Sequence, residues 1–363
     1  MPVKLAFSIL ILLALLGDAR IFLFVMNRVV FGSHRLERNP VWPLYVVVPL
    51  LIVATAFVRA WLLVAAAVGL YWILVRVRVL AFPHAPLVGI RDEPSDVIRL
   101  RKEHIPFAFL RRLGAHNDVY DIEVTHHEIF IDDLPEAMDG YRIAFLTDTH
   151  VASFVRRDFY TEIIAQVQKF DPHLVLLGGD FVTWHRHIPL MAEVLISELR
   201  ARDGVFAILG NHDYWAGAQD VQKAMEEKGV RFLTNASVKL PLQLIGIDEM
   251  YRGAPDVDQA FAEIDPHQPC IGVSHHPDII DLLGAHRLDL LLCGHTHGGQ
   301  IRFPFFGAVV VPSRHEGEYA AGFHRLRNVL MYVSRGIGSI PPLRILCRPE
   351  VATFVLRRGQ REQ

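Results

Sequence analysis

The run 288–300 reads LDLLLCGHTHGGQ, an apolar stretch with strand character that ends in His295 and His297 among glycines. A loop at a strand end can aim several side chains at one point, and glycine lets backbone and ligand approach closely. Four other apolar runs end the same way. Asp148 and His150 close the run 142–146, and Asp180 closes 174–179. Asn211, His212 and Asp213 close 205–210, while His275 and His276 close 270–274. One histidine at a strand end is usually a core residue; five polar clusters in one pattern point to a metal site. Carboxylate, imidazole and carboxamide donors without a thiolate suit manganese, iron or zinc. They outnumber the needs of one four-coordinate ion. Two ions sharing a bridging carboxylate fit the count, and a pair about 3.5–4 Å apart is the standard device for in-line attack on phosphorus.

The elements that position these residues follow from periodicity. Short apolar runs read as buried strands. Between them, 158–169 carries Phe159, Ile163, Ile164 and Val167 on one helical stripe, and 188–199 and 219–228 look similar. Alternating strands and helices to about residue 233 predict an α/β layered domain. Later strands are expected at 309–311, 330–333 and 352–356.

The series Asp148-x-His150, Gly179-Asp180, Gly210-Asn211-His212-Asp213, His275 and Gly294-His295-x-His297 resembles the motif series of the calcineurin-like metallophosphoesterases. The stretches GHTHGGQIRFP and VPSRHEGEYAAGFH and the tail near PLRILCRPEV resemble one bacterial branch, often membrane-anchored, which includes enzymes of the UDP-2,3-diacylglucosamine pyrophosphohydrolase type. The resemblance covers about residues 119–357. It implies a fold of two packed β-sheets flanked by helices. It also implies roles. Asp148, His150 and His297 would hold a first metal; Asn211, His275 and His295 would hold a second; Asp180 would bridge both. His212 would not be a ligand but would protonate the leaving oxygen or stabilise charge there. Asp213 would orient His212 or merely form a turn, and His276 is the weaker ligand of its pair. Thr183 stands where the family often has a second Asp, and the first motif reads Thr-Asp-Thr-His. Arg302, Arg314 and Arg335 are candidate phosphate partners.

The net charge of -2 over 363 residues conceals an asymmetry. Residues 1–80 hold eight Lys/Arg and two Asp/Glu, so the rest is acidic. That argues against nucleic acid as a partner and suits a basic end on anionic lipid. Cys270, Cys293 and Cys347 show no paired spacing, so no disulfide framework is expected.

Residues 5–25 are apolar apart from Asp18 and Arg20, long enough to span a bilayer. Residues 42–75 hold one charge, Arg59, and suit a hairpin turning there. Arg28, Arg35, Arg38, Arg76 and Arg78 would then share the cytoplasmic side. The expected division is a first transmembrane segment at 1–30, a hairpin at 41–78, a basic juxtamembrane linker at 79–118 and a phosphoesterase domain at 119–363. Two spans are the alternative to three. The expected protein is a multi-pass enzyme of the bacterial inner membrane with its catalytic domain in the cytoplasm. Its expected cofactors are two divalent or trivalent ions, Mn, Fe or Zn. Its expected reaction is hydrolysis of a phosphodiester or pyrophosphate bond, with a lipid-linked nucleotide as candidate substrate and the apolar stretch 303–306 as candidate lipid contact. An anchored enzyme for soluble substrates and a non-catalytic metal scaffold are the alternatives. His212 argues against the scaffold, which has no need of a non-liganding histidine there.

Overall fold

The computed structural model of the chain describes residues 9–18, 63–71, 73–74, 89–100, 116–153, 155–304, 307–308, 310–315, 317–326 and 328–359. The chain divides into two compact units: Met1–Pro86 with Phe303–Glu318, and Leu87–Arg302 with Tyr319–Gln363.

The strands, in chain order, are β1 (Ile90–Arg99), β2 (Asp121–Ile131), β3 (Arg142–Leu146), β4 (Leu174–Leu177), β5 (Gly204–Ala207), β6 (Arg231–Phe232), β7 (Ala236–Lys239), β8 (Gln243–Ile247), β9 (Cys270–Ser274), β10 (Leu288–Cys293), β11 (Arg302–Phe303), β12 (Gly307–Ala308), β13 (Gly322–Leu326), β14 (Val329–Val333) and β15 (Glu350–Arg358). One sheet has the order β1-β2-β15-β3-β4-β5-β6, a second β13-β14-β10-β9-β8-β7. Both are mixed. Strands β3 to β6 run parallel, as do β8, β9, β10 and β14.

Period-2 alternation explains the layers. Ile143, Phe145, Leu174, Leu176 and Phe206 of one sheet pack with Leu244, Ile271, Val273, Leu290 and Leu292 of the other. The intervening Ala144, Leu146, Val175 and Leu177 face the opposite way. They meet helices α1 (Arg157–Phe170), α2 (Ile188–Met191) and α3 (Asn211–Glu226). On the far side of the second sheet, Ile245, Ile247, Leu288 and Met331 cover α4 (Val257–Phe261). The expected fold, two packed sheets flanked by helices, is what forms.

Four local expectations change. The strand expected at 309–311 is absent at Val310 and Val311, which have no regular structure. The stretch 188–199 is not one α-helix; α2 is four residues long and passes into a π-helical turn, Ala192–Ile196. Helix α3 starts at Asn211, not near residue 219, so Asn211 and His212 lie in its first turn; Gly217, at φ 114°, kinks it. Part of the stretch 79–118 is the edge strand β1, paired antiparallel to β2, with an irregularity between Glu93 and Asp96 that accommodates Pro94.

In the first unit, residues 9–18 and 63–71 are helical. Ala14, Ala65 and Ala66 are buried together. A Cβ on Gly17 would strike the Ala65 carbonyl, and one on Gly69 the Leu13 carbonyl, so the two helices touch backbone to backbone. Leu12, Leu63, Val64, Leu70 and Leu74 are exposed. Among the described residues, no helix is long and apolar enough to cross a membrane. Most of the expected spans, Arg28, Arg35, Arg38, Arg59, Arg76 and Arg78, residues 101–115, and Phe305 and Phe306 lie outside the described residues.

Candidate metal centre

The carboxyl ends of the parallel strands carry the site, as in other open α/β sheets. Asp148 and His150 follow β3, Asp180 follows β4, and Asn211 and His212 follow β5. His275 follows β9, and His295 and His297 follow β10. Asp148, His150, Asp180, His295 and His297 all have positive φ, between 42° and 68°. Each such residue costs about 1–3 kcal/mol. The distortion turns side chains from three of the five strand ends, those of β3, β4 and β10, toward one place. Glycine makes the room: a Cβ on Gly210 would collide with Asp180 Oδ1, and one on Gly294 with Asp148 Oδ2.

The donors form three overlapping groups, each with its ligand atoms within 4.8 Å of one another. One is Asp148, His150 and His297; one is Asp180, His275 and His295; His150, Asp180 and His212 lie between. Asp180 Oδ2 is 3.3 Å from His275 Nε2 and 3.7 Å from His150 Nε2. Asn211 Oδ1 lies 3.0 Å from His295 Nδ1, which is 3.2 Å from His275 Nε2.

The rings are fixed from behind. His275 Nδ1 donates to Gly178 O at 2.7 Å and His297 Nδ1 to Gly338 O at 3.1 Å. Because a carbonyl can only accept, Nδ1 is the donor in each ring, and Nε2 is the nitrogen turned toward the other donors. His297 Nε2 faces His150 Nε2 at 3.1 Å, while His150 Nδ1 is bonded to Thr183 Oγ1 at 2.8 Å. Thr183 thus orients His150 from the position where the motif often has an Asp. Thr147 Oγ1 donates to Asp148 Oδ2 at 2.8 Å.

The electrostatics fit a cation. Burial, reinforced by the neighbouring histidines, holds His150 and His295 well below the ordinary imidazole range, so both are neutral at neutral pH. Burial also lowers His297. For His275, burial opposes protonation, but Asp180 outweighs it and lifts the ring to about 10. Burial opposes ionisation of Asp180, but the surrounding histidines keep it a carboxylate. Imidazole nitrogens facing one another and buried carboxylates that make no Lys or Arg ion pair among the described residues form the donor set a divalent ion takes up, displacing the His275 proton as it binds.

Two expectations change here. Asp213 does not orient the His212 ring. Its carboxylate accepts the amides of Asp180, Phe181 and Gly210 at 2.7–3.0 Å and so clamps the Asp180 loop to the start of α3. Arg335 does not face the donors. It is paired with Glu123 at 2.9 Å and Glu350 at 3.0 Å. No contact joins the Arg302 side chain to the donors among the described residues, and Arg314 belongs to the first unit. His276 is buried, with Nδ1 accepting from the Asp278 amide at 3.1 Å. The three cysteines are free and buried.

Some participants carried no signal in the sequence. Arg344, fully buried, donates to the carbonyls of Arg335, Gly336 and Gly338, and so fixes the acceptor that orients His297. Glu249, after β8, is a fully buried carboxylate that burial lifts and the nearby His275 lowers.

A family model described as calcineurin-like phosphoesterase matches residues 141–299. The Escherichia coli (strain K12) protein described as phosphodiesterase YaeI is 31% identical over 228 residues, which span 60% of this chain and 82% of that protein. The chain belongs to the calcineurin-like phosphoesterases. A Bacillus subtilis (strain 168) relative, described as uncharacterized metallophosphoesterase YkuE, is 29% identical over 69% of this chain and 90% of its own length. A Danio rerio relative, described as a transmembrane protein with metallophosphoesterase domain, is 28% identical over 69% of this chain and 61% of its own length. This calcineurin-like phosphoesterase is a metal-dependent phosphoric ester hydrolase.

Two expected results follow from the site's surroundings. Gly294→Ala should lower metal content in a protein that remains folded, because the new methyl competes with the Asp148 carboxylate; elemental analysis beside circular dichroism reads both. Arg335→Ala should destabilise the phosphoesterase by about 3–5 kcal/mol in urea, since it leaves Glu350 buried without its cation. The pH dependence has a definite sign. Burial would raise Glu350, but the Arg335 guanidinium and amide outweigh it and hold the carboxyl at about 2, below an unfolded value of about 4.3. The contribution is therefore full above about pH 5 and fades as pH falls toward 2. The gap between wild type and variant should narrow over that window.

Proposed function

We propose that this phosphoesterase works with two metal ions and hydrolyses a phosphodiester or pyrophosphate bond at a membrane surface. The observation that carries the reading is the pair of donor groups on either side of Asp180. Asp148, His150 and His297 would hold one ion, Asn211, His275 and His295 the other, and Asp180 would serve both. Mn, Fe and Zn all suit these ligands. Two bound ions supply Lewis acidity at phosphorus and an acidified water as nucleophile.

The chain's own residues do the rest. His212, held by its amide to Asp180 Oδ1 at 2.8 Å, stands over the departing oxygen and gives it a proton or stabilises its charge. Its Nδ1 has no hydrogen-bond partner among the described residues, so no neighbour there holds the ring away from substrate. Asp213 keeps His212 and Asp180 in step through the backbone.

The membrane reading rests on the first unit. Its helices pack small residues inward and turn leucines outward, the arrangement favoured in lipid. A relative is described as a transmembrane protein. The division into amino-terminal membrane segments and a phosphoesterase domain, the bacterial inner membrane and the cytoplasmic side belong to the same proposal. An amphipathic substrate with its phosphate near the headgroup layer follows from it, and exposed Phe303 is a candidate contact.

The test is turnover by full-length protein in lipid nanodiscs, loaded in turn with Mn, Fe or Zn. Lipid-linked pyrophosphates and soluble diesters are compared. Preference for the lipid-linked class supports the proposal. Equal or better turnover of soluble diesters removes the lipid part, and no turnover with any metal removes the mechanism.

A further inference from the structure

His212 does not stand alone. Trp215, one helical turn further along α3, is half exposed, and its indole meets the His212 ring edge-on at 4.5 Å between centroids. Half of its surface is open beside the candidate metal centre, an apolar face with a polar tip. The neighbouring turn holds it. Arg252 lies over the indole, 5.3 Å from the ring centroid. The turn that carries Arg252 is anchored beneath: buried Glu249 accepts the amides of Tyr251, at 2.8 Å, and Arg252. Asp248 accepts the Ala254 amide at 2.8 Å and the Tyr214 hydroxyl at 2.6 Å. The indole is therefore fixed before any substrate arrives, with little ordering cost left to binding.

We infer that Trp215 is a specificity-determining residue that receives a planar ring on the departing side of the substrate. The inference rests on the proposed place of His212 at the leaving oxygen. Side chains three apart on a helix lie on one face. A group that leaves past His212 then passes beside Trp215. Small alkyl alcohols have nothing to stack there; an aryl or nucleobase-bearing group does. Arg252 adds a planar cation whose guanidinium can extend the same surface.

The experiment uses full-length, metal-loaded protein and two phosphodiesters of matched leaving-group acidity, one aryl and one fluoroalkyl. Trp215→Ala should raise KM for the aryl diester about ten-fold, the scale of one aromatic stacking contact, with kcat nearly constant. The fluoroalkyl diester should be unaffected, and Trp215→Tyr should restore most of the aryl preference. Calorimetric binding of phenylphosphonate against methylphosphonate should lose its discrimination in parallel. If Trp215→Ala keeps the wild-type preference for aryl, or slows both diesters equally at unchanged metal content, the assignment of Trp215 is wrong while the phosphoesterase mechanism stands. If the wild type binds and cleaves neither diester, the mechanism and the inference fall together.

Discussion

His212→Ala should keep its metal content and lose about 10²–10⁴-fold in turnover, the usual contribution of a positioned proton donor. None of the three oriented rings, His150, His275 and His297, relies on the His212 side chain for its hydrogen bond from behind. The contact from this residue to Asp180 runs through its backbone amide, which alanine retains. Metal content read by elemental analysis should therefore match wild type. The deficit should shrink for nitrophenyl esters, whose leaving groups need little protonation. An equal deficit on good and poor leaving groups would assign His212 to substrate positioning instead.

Asp180→Asn should cost more metal than His150→Ala or His295→Ala. Either histidine belongs to one side of the centre, whereas Asp180 approaches donors on both. The amide keeps the shape of the carboxylate but removes a negative charge from a fully buried position among imidazoles. Less bound metal also means less ligand-linked stability. The melting temperature should respond less to added metal in this variant than in either histidine variant. Full two-metal occupancy in Asp180→Asn would end the bridging assignment.

The donors were legible because each follows directly on an unbroken apolar strand, where few competing roles exist for a His-x-His or Asp-x-His. Helix α3 was partly hidden: Gly210 and Gly217 look like breakers, yet Asp213 secures the first turn by accepting the Gly210 amide. Strand β1 was masked by Pro94, which an edge strand tolerates. Which way Asp213 and Arg335 point could not be read, because their partners are set by tertiary packing. Arg335 meets Glu123 from β2, far back in the chain. Arg344 acts only through carbonyl groups, and these leave no trace in side-chain types.

The position of β15 has a consequence for synthesis. Strand β3, which delivers Asp148 and His150, pairs with β4 on one side and β15 on the other. A ribosome adding about 5–20 residues per second therefore exposes one flank of β3 until Glu350–Arg358 emerges. Until then β2 lacks the neighbour that ties it to β3. Nascent chains should hold that flank open to intermolecular pairing and depend on chaperones for cover. A product stalled before Glu350 should accumulate as aggregate, not as a weakened hydrolase.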